Sequence, residues 1–182
     1  MRIGIIDLGT NSVRFDIHSV TPPGEAHLLH REKLMIRLGE GVFLDGKLDP
    51  HAIRRAVHAF MSFKNTAERF QVEKIVAFAT SALREAKDAV HLIDRIRQKT
   101  QIEIRIISGE EEAKLIALGI LSHESFKGRY GLIDIGGGST EISICHNKNI
   151  LNSASFPLGA ARLQQVFLKT SPPKSTIKIP DP

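Results

Sequence analysis

Tryptophan is absent, aromatic residues make up only 5% of the 182 positions, and the basic residues are scattered rather than clustered. A platform of stacked aromatics in a basic stripe is therefore unsupported, and no nucleic-acid partner is expected. A single cysteine, Cys145, excludes a disulfide framework. It lies in the apolar alternation Ile142-Ser-Ile-Cys145 and reads as a small buried hydrophobe. No apolar run approaches the ~20 residues needed to cross a bilayer. Met1-Arg2 leads into a strand with no signal peptide, so the expectation is cytoplasmic, with no membrane partner. The Gly-x-x-x-x-Gly-Lys-Ser/Thr loop is missing, which excludes a P-loop nucleotidase. Eight histidines show no ligand-like spacing, so a histidine metal site is not expected. What remains is ordinary globular composition, 42% hydrophobic and 25% charged, with a net charge of +5 suited to drawing in a polyanion.

One stretch stands out, Gly131-Leu-Ile-Asp-Ile-Gly-Gly-Gly-Ser-Thr-Glu141. It reads as a strand, a tight glycine turn and a second strand, with Asp134 at the mouth. Successive N–H groups in such a turn make an anion-binding nest. Gly4-Ile-Ile-Asp-Leu-Gly-Thr-Asn-Ser12 aligns with Gly131 to Ser139 without a gap, at an offset of 127 residues, as positions 7 and 134 show. That spacing suits a duplicated domain. Two such turns facing one another would hold a polyphosphate group and a divalent metal.

In chain order, residues Arg2 to Leu8, Val13 to Val20 and Ala26 to Leu38 read as a strand meander, followed by a glycine-punctuated loop at Arg37 to Val42. Asp49 and Pro50 open a helix to about Phe70. Ile75 to Ala79 is a buried strand. Thr80 and Ser81 open the next helix, whose Val90, Ile93 and Ile96 form an apolar face to Lys99. Ile102 to Ile107 is another strand, and Ser108 caps a helix from about Glu110 to Leu121. A second unit follows: strands through Ile135, Ile144 and Phe156, then a helix from Gly159 to Leu168. The expected domains are 1–125, then 126–170 as the incomplete start of a second, short of its repeat by roughly 70 residues. A tail at 171–182 with four prolines is expected to be disordered.

The duplicated β-β-β-α-β-α-β-α unit resembles the ribonuclease H-like, actin, Hsp70 and sugar-kinase class of ATPase fold, an α/β architecture with a mixed sheet and flanking helices. Asp7-Leu-Gly-Thr-Asn-Ser12, Arg37-Leu-Gly-Glu-Gly41, Thr80-Ser-Ala-Leu-Arg84, Ile107-Ser-Gly-Glu-Glu-Glu112 and Asp134-Ile-Gly-Gly-Gly-Ser-Thr-Glu141 occur in order, with Pro157-Leu-Gly-Ala-Ala-Arg-Leu163 as a weaker sixth motif. Together they resemble the exopolyphosphatase and guanosine pentaphosphate phosphatase family from Met1 to about Leu168. The resemblance implies magnesium-dependent hydrolysis of a terminal phosphate from polyphosphate or pppGpp.

Phosphoryl transfer to water needs positioning, charge neutralisation and an oriented nucleophile. Gly9, Thr10, Asn11 and Ser12 in the first turn, and Gly136, Gly137, Gly138, Ser139 and Thr140 in the second, are the candidate phosphate donors. Asp7 and Asp134 are hard oxygen ligands for Mg²⁺. Glu141 is placed to assist the metal or the nucleophile. The resemblance assigns the water to Glu111, with Glu110 and Glu112 read mainly as complements of the helix dipole. It also makes Arg14 and Arg84 phosphate ligands, Arg14 being read as core-facing. Asp88 is expected to bear on capping. A non-catalytic polyphosphate or pppGpp sensor, or an inactive fragment completed by another chain, stays open. Exposed apolar surface on the second unit would favour a homodimer.

Overall fold

The computed structural model describes residues 1–124 and 126–168. The tail expected at 171–182 lies outside the described residues. Three strands open the chain, β1 (Arg2–Leu8), β2 (Ser12–Thr21) and β3 (Glu25–Met35). They form an antiparallel meander, to which β4 (Lys74–Ala79) and β5 (Ile104–Ile106) add in parallel, giving the order β3-β2-β1-β4-β5. This mixed sheet is crossed by α2 (Pro50–Arg69) and α4 (Ala89–Thr100). Helix α2 starts where expected, because Asp49 accepts hydrogen bonds from the amides of His51 at 2.8 Å and Ala52 at 2.9 Å. Its Phe63 packs against Phe15 of β2, and Phe60 against Phe63, in the hydrophobic core.

Several expectations about local structure are corrected. The loop after β3 carries one helical turn, α1 (Val42–Asp45), flanked by glycines in left-handed conformation at 41 and 46. Strand β3 stops at Met35 because the amides of Ile36 and Arg37 turn to the carbonyl of Asn11. The helix expected to run from Ser81 to Lys99 is two, α3 (Ser81–Glu85) and α4. Its buried face is Ala89, Leu92 and Ile96, and Val90 is exposed. Asp88 does not cap α4 with its side chain; its carboxylate accepts from the amide of Leu48 at 3.1 Å and so ties the two crossovers together.

A second sheet contains β6 (Arg129–Ile135), β7 (Thr140–His146) and β8 (Asn149–Phe156), antiparallel throughout. Helix α5 (Gly109–His123) begins at Ser108, whose hydroxyl accepts from Glu111 N at 3.1 Å. Although α5 precedes position 125, it packs on β7 and β8, and Ser143 Oγ donates to Ala113 O at 3.3 Å. Helix α6 (Ala160–Phe167) closes the described chain beside α1. Among the described residues no helix is long and apolar enough to cross a membrane.

Candidate active site

Both glycine turns are built the same way. The amide of Gly9 donates to Ser12 O at 3.0 Å, and that of Gly136 donates to Ser139 O at 2.9 Å, so each turn is closed by one internal bond. The carbonyls beyond are then taken up by neighbours. Thr10 O accepts from Gly39 N, and Asn11 O from Ile36 N and Arg37 N. Gly136 O accepts from Ala160 N, and Gly137 O from Ala161 N and Arg162 N, which satisfies the otherwise orphaned first amides of α6. The amides of Thr10, Asn11, Gly137 and Gly138 make no backbone hydrogen bond among the described residues. With carbonyls tied back and amides left over, each turn presents positive partial charge to the space between them.

The turns touch. A side chain at Gly138 would strike Ser81 and Phe43, and one at Gly159 would strike the backbone of Gly137 and Gly138. Arg162, read in sequence only as part of the weaker sixth motif, clamps the arrangement. Its Nε donates to Gly138 O at 2.6 Å, its guanidinium pairs with Glu85 and reaches Ser81 Oγ at 3.3 Å, and it lies 4.2 Å over the ring of Phe43.

A cavity of about 450 Å³ opens between the turns, lined by Gly9, Thr10, Asn11, Ser12, Gly136, Gly137, Gly138 and Ser139. Four carboxylates face it, Asp7, Glu112, Asp134 and Glu141, together with Arg14 and Lys33. Asp7 stands opposite Arg14 across β1 and β2, and Asp134 opposite Glu141 across β6 and β7, so the duplicated aspartates come to one cleft. Burial raises the Asp7 carboxyl above its ordinary value; Asp16 and Asp134 push it the same way, and Arg14 opposes them. Glu141 is buried and accepts from Ser155 Oγ at 2.7 Å.

The structure places several candidate residues differently from the sequence reading. Glu111 does not reach the cleft; it pairs with Arg105 on the outer side of α5 at 2.6 and 2.9 Å. Its neighbour Glu112 faces the cavity, because successive side chains on a helix point about 100° apart. Burial, reinforced by Glu141 and opposed by Arg84, pushes Glu112 up to about 7. Arg84 stands behind Glu112, donating to it at 3.1 Å and to Ile107 O at 2.9 Å, and does not line the cavity. Thr140 leaves the cleft too: its hydroxyl donates to Leu158 O. Arg14 lines the cavity but is exposed, 3.4 Å from Asp7 and 3.7 Å from Asp16, rather than core-facing. Thr80 and Ser81, at the start of α3, line the cavity, and no side chain caps that helix.

A mixed sheet with flanking helices, a second sheet built on the same strand–turn–strand, and an anion-facing cleft between them define the ribonuclease H-like ATPase-type fold shared by actin, Hsp70 and sugar kinases. Residues 17–178 match the Ppx/GppA phosphatase family, and the chain belongs to it. It is 30% identical over 174 residues to exopolyphosphatase 1 of Mycobacterium tuberculosis, covering 95% of this chain and 51% of that protein. Among solved structures, an exopolyphosphatase from Cytophaga hutchinsonii aligns with a TM-score of 0.87 at 33% identity, covering 92% of this chain and 54% of that one. The Aquifex aeolicus member of the Ppx/GppA family aligns at 0.79 and 28% identity, covering 95% and 56%. The chain thus spans about half the length of the relatives it matches.

Proposed function

We propose that the chain carries the phosphate-binding and water-orienting part of a phosphoanhydride hydrolase acting on polyphosphate or pppGpp. The observation that carries the reading is the pair of turns with free amides facing Glu112 across one cleft. Terminal phosphate oxygens would accept from the amides of Thr10, Asn11, Gly137 and Gly138, with Arg14 and Lys33 balancing charge. Water attacks the terminal phosphorus in line while Glu112 takes its proton. The bond to the bridging oxygen breaks, leaving orthophosphate and a chain shorter by one phosphate. A carboxylate near 7 suits a general base at neutral pH. Arg84 holds its orientation.

The donor set also fits a hard divalent cation. Among the described residues no three His, Cys, Asp or Glu side chains converge as a ready cage. Asp7 and Asp134 would therefore share Mg²⁺ with waters and phosphate oxygens, Glu141 standing beside them. When bound, the ion supplies neutralisation of phosphate charge.

The test is phosphate release from long-chain polyphosphate and from pppGpp, with and without Mg²⁺, by the native chain and its Glu112→Gln and Glu111→Gln variants. Turnover lost in Glu112→Gln with ligand binding retained, and kept in Glu111→Gln, is the expected result. Equal hydrolysis by Glu112→Gln would overturn the role of that residue. A second reading, binding without turnover, is favoured by one observation, the exposure of Ile133 and Ile135 on the second sheet among the described residues. No release by the native chain, with saturable binding, would select it.

A further inference from the structure

Arg84 lines a second cavity, of about 420 Å³, on the far side of the cleft wall. Its Nη1 donates to Glu112 and to Ile107 O. Its Nη2 makes no hydrogen bond among the described residues and lies 3.7 Å from where a Cβ on Gly109 would stand. Arg162, Ser108 and Ser155 border the same space, and Gly109 keeps it open, since a side chain there would strike Ser155. Two carboxylates are also present: Glu85 is paired with Arg162, and Glu110 is exposed. Ser81 and Ser139, 2% and 5% exposed, belong to both cavities. The partition between the two is built of side chains. Glu112 on the cleft side holds Arg84 on the other at 3.1 Å, and Glu141 on the cleft side accepts from Ser155 at 2.7 Å. The Ser81 hydroxyl, reached by Arg162 at 3.3 Å, stands between them.

We propose that this second cavity binds orthophosphate and is the way out for the product. A hydrolase that removes the terminal phosphate of a chain holds the rest of that chain in the mouth of its cleft. The freed phosphate is then left at the buried end, where Glu112 and Glu141 stand. Leaving by the mouth would require the shortened chain to dissociate after every cut. Leaving through the partition would not. The chemistry beyond the partition suits a small anion: two guanidinium groups offer planar, paired donors to phosphate oxygens, and the hydroxyls of Ser81 and Ser139 lie on the path. Arg84 faces both ways, holding Glu112 with one terminal nitrogen and turning the other to the second cavity. The exit role rests on reading the cleft as the phosphate site; the binding of orthophosphate beyond it does not.

The experiment titrates orthophosphate into the 182-residue chain by amide-resolved NMR, first alone and then with tripolyphosphate saturating the cleft. Both titrations should move Gly109, Glu110 and Ser155 along one saturable curve. In the second, Thr10, Asn11, Gly137 and Gly138 should keep their tripolyphosphate-bound positions, so that both cavities are filled at once. Ala154→Leu adds bulk to the lining of the second cavity and should abolish the response of Gly109 and Ser155 while tripolyphosphate still moves the four turn amides. Glu110→Lys, a change at an exposed position, should tighten orthophosphate binding by about two- to fivefold, the scale of one surface charge pair. Orthophosphate that moves the turn amides alone would overturn the proposal, as would unchanged affinity in both variants. So would tripolyphosphate that displaces orthophosphate from Gly109 and Ser155, since the two cavities would then be one site. Turn amides that ignore tripolyphosphate would instead sink the cleft reading and the exit role with it, and the orthophosphate site would stand or fall on the first titration and the two variants.

Discussion

The first and second strand–turn–strand units carry the same motif in the same pairing register, yet one lies in a core and the other on a surface. Their turns nevertheless have the same hydrogen-bond plan. What shapes the anion-facing turn is therefore the local tying of carbonyls, by the end of β3 in one case and by α6 in the other. Stability and site geometry are separable in this molecule: the former rests on the first sheet, the latter needs both.

The largest test of that difference replaces equivalent residues. Ile6→Ala should cost about 2–5 kcal/mol in urea unfolding, and Ile133→Ala no more than about 0.5 kcal/mol. Comparable losses at the two positions would break the comparison. Next is the contact between turn and helix. Gly159→Val drives a side chain into the backbone of Gly137 and Gly138 and should cost about 1–3 kcal/mol or more. Gly119→Ala on α5 meets nothing within 4 Å and should instead gain up to about 1 kcal/mol.

A third prediction concerns pH. Glu112 is raised in the folded chain from 4.5 to about 7, so the folded state holds this proton more tightly than the unfolded one. Stability contributed at this site is full below pH 4.5 and is lost as pH rises towards 7. Glu112→Gln should flatten that part of the stability–pH curve measured by denaturant titration; an unchanged curve would mean that Glu112 is not the buried acid. The smallest effect is expected at Glu111→Gln, which removes an exposed pair with Arg105 worth about 0–1 kcal/mol.

The strand–turn–strand motif, the alternation of later strands and helices, and the caps at Asp49 and Ser108 were legible because each depends on local chemistry: glycine spacing, apolar period and side-chain oxygens at helix starts. The duplicated aspartates were legible through the repeat. What was not legible needed tertiary placement. Glu110, Glu111 and Glu112 are chemically alike in sequence, and only the position of the cleft relative to α5 selects Glu112. Arg84 and Thr140 lie in the right motifs but are drawn to Glu112 and Leu158 by neighbours distant in the chain. The clamp made by Arg162 was hidden for the same reason, since Glu85 and Gly138 lie far from it in sequence. The sixth motif was its only trace.

The most direct measurement is an amide-resolved NMR titration of the chain with tripolyphosphate. Two turns acting as one anion site require Thr10, Asn11, Gly137 and Gly138 to shift together along a single saturable curve. Shifts confined to one turn, or spread over surface lysines and arginines while these four amides stay still, would contradict a shared phosphate site.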